Sequence, residues 1–133
     1  MTKPKPSSRR RKAMAGVTFD TVRRFGLALP ETEASTSYGM PALKVRGKLF
    51  ARLREDGDSL VLRSDLVERD LLLAANPKVF YITDHYREYP WVLVRLSAVE
   101  PDELQELLRD AWSRVAPKRL VQPAQPAARG RKR

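Results

Sequence analysis

The chain has 133 residues, 42% of them hydrophobic and 32% charged, which suits one small domain with a modest core rather than two. It contains no cysteine and one histidine, which excludes disulfide frameworks, thiolate zinc sites, cysteine nucleophiles and histidine-rich metal centres within a single chain. The formal net charge of +10 is unevenly placed: twelve of the 26 lysines and arginines lie in residues 1–16 and 117–133, which hold no acid, and the remaining fourteen face all sixteen acids.

Residues 1–16 carry Arg9, Arg10, Arg11 and Lys12 among Pro, Ser and Ala, and residues 121–133 carry Arg129, Arg131, Lys132 and Arg133 in a similar setting. Such segments bury too little apolar surface to offset the entropy of ordering, so two disordered basic arms are expected around a domain over 17–120. AMAGV, after the first basic run, is too short and weakly apolar for the core of a signal peptide. No stretch approaches the roughly 20 apolar residues that span a bilayer, and the best, WVLVRLSAV at 91–99, is broken by Arg95. A cytoplasmic protein without membrane association is expected.

A first helix is predicted from Thr18, which is placed to cap it, with Val17 and Val22 as a hydrophobic staple. Phe19, Val22, Phe25 and Leu29 keep helical spacing until Pro30. From 42 to 64 the period becomes two. Leu43, Val45, Leu49, Ala51 and Leu53 alternate with Lys44, Arg46, Lys48, Arg52 and Arg54, and Phe50 is the one exception. Gly47 supplies a turn between the first two strands and EDGD at 55–58 a second before SLVLR at 59–63. Asp65 and Glu68 form a capping-box pattern for a short helix that stops at Asn76-Pro77. Strands follow in VFYIT at 79–83 and WVLVRL at 91–96, and Pro101 opens a last helix with Leu104, Leu107, Leu108, Ala111 and Val115 on one stripe.

The predicted class is α+β, in the order α-β-β-β-α-β-β-α, with a five-stranded antiparallel sheet and helices packed on one face. Leu43, Val45, Leu49, Leu53, Leu60, Leu62, Phe80, Ile82, Val92, Val94 and Leu96 are expected to look inward. The other face would display Lys44, Arg46, Arg52, Arg54, Arg63, Tyr81, Thr83, Trp91 and Arg95, cations among rings of the kind that suits phosphates and stacked bases. A solvated sheet face is polar in any case, and the stems of Lys and Arg cover apolar surface there.

The arms carry the stronger argument, because clustered cations displace counterions from DNA without a defined fold. The same run would also serve as a solubilising tail or bind any polyanion. The hairpin tip Arg46-Gly47-Lys48 is positive and suited to phosphates, whereas the tip Glu55-Asp56-Gly57-Asp58 is repelled by them. TDHYREYPWV at 83–92 places the single histidine, His85, beside Asp84 and near Tyr86, Tyr89 and Trp91. General-base chemistry at His85 would need a pocket and a partner, and no nucleophile is placed by spacing to serve it. A packed strand connection is the plainer reading. If the chain binds a small ligand, Thr83, Asp84, His85 and Trp91 are the candidates.

TSYGMPALKVRGKLFARL at 36–53, TDHYREYPWVLVRL at 83–96 and LRDAWSRVAPKRL at 108–120 resemble the MmcQ/YjbR family, over about residues 17–120. The resemblance implies a secretion-chaperone-like α/β fold and a DNA-binding protein with a double-wing motif. The wings would be the hairpins around Gly47 and Gly57, with Lys44, Arg46, Lys48, Arg52 and Arg54 as phosphate contacts; the acidic EDGD tip departs from a DNA-facing wing. The expected function is therefore non-enzymatic DNA binding by a monomer or homodimer, with no cofactor and no metal. A dimeric, chaperone-like interaction module and a small-ligand pocket around Asp84 and His85 are the alternatives.

Overall fold

The computed structural model describes residues 17–121, so the candidate contacts Arg9, Arg10, Arg11, Lys12, Arg129, Arg131, Lys132 and Arg133 lie outside the described residues. Helix α1 spans Phe19–Leu27. Thr18 takes the extended cap conformation, but its side chain makes no capping hydrogen bond, contrary to the expected role; its carbonyl instead accepts from the Thr21 and Val22 N–H groups. Strands β1 (Thr32–Ser37), β2 (Met40–Val45), β3 (Lys48–Leu53) and β4 (Ser59–Arg63) follow as a meander. Helix α2 (Leu66–Ala75) starts at Asp65, whose carboxylate accepts from the Glu68 N–H at 2.7 Å, as the capping-box pattern predicts. Strand β5 is only Phe80–Tyr81, a 3-10 turn covers Asp84–Tyr86, and β6 runs Trp91–Arg95. Helix α3 (Pro101–Val115) begins with proline in its first turn, and a short α4 (Lys118–Val121) follows Pro117.

The fold is α+β with an antiparallel sheet, and the sheet has six strands rather than the five expected, in the order β1-β2-β3-β4-β6-β5. The additional strand is β1. Its sequence, TEASTS, has no apolar alternation to announce it, and it is held by pairing with β2 through the Tyr38-Gly39 turn, where both residues have positive φ.

One face of the sheet carries the core. Leu43, Ala51, Leu62 and Val92 form one cross-strand row and Leu60, Val94 and Phe80 another, closed by Val22 of α1 and by Leu104, Leu108, Ala111 and Trp112 of α3. The indole Nε1 of Trp112 donates to the Pro30 carbonyl at 3.0 Å, which fixes α3 to the turn after α1. The strict alternation expected in β3 is corrected by a β-bulge. Leu43 pairs with Ala51 but Lys44 pairs with Leu49, so Phe50 is the extra residue and is fully buried in the core. Leu49, expected inward, therefore lies on the opposite face with Lys44. Ile82 lies beyond the end of β5 and is half-buried.

Among the described residues no helix is long and apolar enough to cross a membrane, and no group of three or more His, Asp or Glu residues is placed to hold a metal ion.

Candidate functional site

The second face of the sheet is not the open basic platform that alternation predicts. Ala42, Arg52, Val61, Leu93 and Tyr81 form one row across five strands, and the first four are buried. Residues 83–90 stand over this face. Two buried arginines build that cover. Arg69, on α2, donates from Nη1 to the carbonyls of Tyr86 and Tyr89, both at 2.9 Å, and from Nη2 to that of Arg87 at 3.0 Å. Arg52, on β3 and only 6% exposed, donates from Nη2 to the Tyr86 hydroxyl at 2.9 Å. Pro90 completes the anchoring, its carbonyl accepting from the Ser64 N–H at 2.8 Å.

A cavity of about 320 Å³ remains between this cover and the sheet. Leu49, Arg52 and Val61 form its floor, His85, Tyr86, Tyr89 and Trp91 one wall, and Tyr38 the other. A second lobe of about 290 Å³ shares Tyr38, Arg52, His85 and Tyr86 and adds Arg54, Glu55 and Thr83. The His85 ring stands edge-on to Tyr86 at 4.7 Å, and the Arg52 guanidinium lies 5.2 Å from the Tyr38 ring. Glu55 approaches the same guanidinium at 3.6 Å. Cations over ring faces and rings in edge-to-face contact are both favourable, and contacts of both kinds line the cavity.

Of the four ligand candidates, Thr83, His85 and Trp91 line these lobes, while Asp84 is exposed, pairs with Arg87 and lines neither. Arg52 and Arg54, which the family resemblance implies as phosphate contacts, both line the cavity. Arg54 reaches the Tyr81 hydroxyl at 3.5 Å, and Arg95 lies over the Tyr81 ring at 4.2 Å. The sequence reading missed Tyr38, Leu49 and Val61, and also Arg69. The bulge at Phe50 is the signal that would have turned Leu49 toward this face.

The two hairpin tips differ in structure as well as charge. At the first, Arg46 and Gly47 both have positive φ, Lys48 is exposed and Lys44 half-buried. Arg46 is paired with Glu31 at 3.0 Å, and Arg119 approaches the other oxygen of the same carboxylate at 3.4 Å. The Arg46 hydrogen bond, with that of Arg119, holds the Glu31 carboxyl below the usual carboxylate range against the opposing effect of burial. At the second tip Asp56 folds back on the loop, Asp58 reaches Ser97 and Glu55 turns toward Arg52. Asp56 accepts from the Asp58 and Ser59 N–H groups and the Ser59 hydroxyl, each at 2.9 Å, and Asp58 accepts from the Ser97 N–H and hydroxyl. Burial pushes Asp56 up, but these bonds and nearby Arg54 bring it below its ordinary value.

A family model described as YjbR matches residues 27–114. Uncharacterized proteins of Mycobacterium tuberculosis and Mycobacterium bovis are each 45% identical to the chain over 67 residues, covering 50% of this chain and 52% of the relative. The match thus spans about half the length of those curated relatives. The crystal structure of Deinococcus radiodurans protein DR2400, with the domain family DUF419, has a TM-score of 0.66 at 24% identity, covering 83% of this chain and 86% of that one. That likeness is one of fold.

Proposed function

The chain belongs to the YjbR family, and from that premise we propose that it is a non-enzymatic DNA-binding protein gripping the phosphate backbone with its basic end segments and its first hairpin. The observation that carries this reading is the shared carboxylate of Glu31, which joins Arg46 of the first hairpin to Arg119 of α4. It brings the start of the C-terminal basic segment to the hairpin whose tip carries Arg46 and Lys48. Cations from two distant parts of the sequence then converge on one corner, and clustered cations release counterions from DNA in proportion to the phosphates they neutralise.

Within the folded body the set of phosphate-facing cations is narrower than the resemblance implies. Lys44, Arg46 and Lys48 remain, while Arg52 is covered and Arg54 faces Tyr81. The second hairpin holds Asp56 in its own turn and Asp58 against Ser97, and the phosphate contacts proposed for the hairpins fall on the first alone. Interactions of this kind fix position on the duplex and carry no base sequence, so the binding is largely non-specific.

The test is a salt titration of duplex binding by the full-length protein and by a variant with Arg9, Arg10, Arg11, Lys12, Arg129, Arg131, Lys132 and Arg133 all changed to Gln. Every phosphate left without its cation lowers the slope of log K against log salt by about 0.9, so a fall of several units is expected. An unchanged slope removes the end segments from the interface. Lys44→Ala with Arg46→Ala and Lys48→Ala should weaken the remainder.

A further inference from the structure

The cavity over the outer sheet face has no part in phosphate gripping, yet its construction is specific. Tyr38 occupies the first central position of the β1–β2 turn with φ 55, a conformation natural to Gly or Asn and costly for a bulky side chain. There it is 86% exposed, so no core packing accounts for a tyrosine at that position. What the strained turn does is hold a ring against the Arg52 guanidinium at the mouth of the cavity. Arg46 takes the same conformation in the next hairpin turn, so what singles out Tyr38 is the exposed ring it sets beside a concave site. Arg52 itself has five N–H donors, of which the Tyr86 hydroxyl and the Leu53 carbonyl take one each.

The two lobes differ in chemistry. The larger is a slot of rings and aliphatic side chains, Tyr38, Leu49, Val61, Tyr89 and Trp91, with Arg52 at its base. The smaller adds Arg54, Glu55 and Thr83, so the charged groups facing the joined space are two guanidiniums and one carboxylate. A flat ring fills the first lobe without unmet hydrogen bonds, and a negative group at the junction meets the excess positive charge. Volumes of about 300 Å³ and above are those of small-molecule sites.

We propose that this cavity binds a small planar aromatic molecule bearing one anionic group, a carboxylate or a phosphate, with the ring between Tyr38 and Trp91 and the anion facing Arg52. The site is independent of the DNA reading and stands or falls without it.

The test follows the Trp91 indole resonance of the full-length protein during titration with 4-hydroxyphenylacetate, phenyl phosphate and the uncharged 4-hydroxyphenylacetamide. Trp112, buried in the core, is the internal control. Saturable shifts at Trp91 are expected with at least one anion, and binding of the amide weaker by about tenfold or more, because charge-assisted pairing with arginine is lost. The carboxylate and phosphate arms show which head group the site takes. Arg52→Gln should abolish the preference for the anion. Tyr38→Ala, at an exposed turn where folding is not at stake, should weaken the anion several-fold. No shift at Trp91 from either anion up to about 10 mM, a concentration that saturates even a millimolar site, would overturn the proposal. So would equal binding of anion and amide, or a response to a short thymidine oligonucleotide with none to either small anion. Duplex affinity measured on Tyr38→Ala separates the two sites, since it should match that of the unaltered protein.

Discussion

Arg69 holds a buried charge chiefly through three carbonyl oxygens of residues 86–89 rather than a close carboxylate; its Nε, buried and without a hydrogen bond, lies 3.5 Å from exposed Asp70. Removing the guanidinium takes three charge-assisted bonds from this segment; the Tyr86 and Tyr89 carbonyls keep the Tyr89 and Trp91 N–H groups, and the Arg87 carbonyl loses its donor. Arg69→Leu is therefore expected to lower stability by roughly 1–3 kcal/mol in urea unfolding. Arg69→Lys should rescue it only in part, because an ammonium lacks the planar fork. Nothing in LVERDLLLAA separates this arginine from a solvated helix position; its role is set by a segment seventeen or more residues away. Asp65 is the opposite case, legible as a cap from its spacing to Glu68. The Glu68 N–H first, and Arg114 after it, hold its carboxyl below the ordinary aspartate range against the opposing effect of burial. A depressed folded value means that this stabilisation is complete above about pH 4, the unfolded aspartate range, and is lost as pH falls through the folded value. Asp65→Asn keeps a capping oxygen but not the pair with Arg114, so the acid limb of a stability-against-pH curve should flatten.

Between elements, α1 lies close against β2 at Gly26. A Cβ on Gly26 would meet the Leu43 Cδ1 at 2.3 Å, and Leu43 is fully buried. Gly26→Ala gains up to about 1 kcal/mol of helix propensity, but overpacking a filled core costs about 1–3 kcal/mol. The balance favours destabilisation, and a lower melting temperature by calorimetry is the expected result. Helices α1 and α3 were readable because their apolar positions repeat near 3.6, and α2 because Asp65 and Glu68 mark its start and Asn76-Pro77 its stop. β1 was not, because TEASTS owes its strand to β2 rather than to its own side chains. Phe50 was visible as an anomaly in the alternation, and the bulge explains it: two successive residues of β3 turn the same way, which seats Phe50 in the core and exposes Leu49 to the cavity.

For the molecule as a whole, charge was legible in amount but not in disposition. The sequence locates the excess cations at the ends, whereas the pairing of Arg46 and Arg119 through Glu31 depends on a hydrogen bond across 88 positions. That pairing restrains two phosphate-seeking groups with one acid. Glu31→Gln should release both, raising duplex affinity and steepening the salt slope by about one to two units, at about 0.9 per phosphate newly neutralised. A weaker or unchanged slope would show that the corner does not meet DNA. The sheet's two margins have a further effect. At one end β5 contributes only two residues; at the other, β1 presents Thr, Glu, Ala, Ser, Thr and Ser, so an incoming strand would gain backbone bonds but almost no apolar burial. Growth by edge-on addition of a seventh strand is thereby discouraged at both margins.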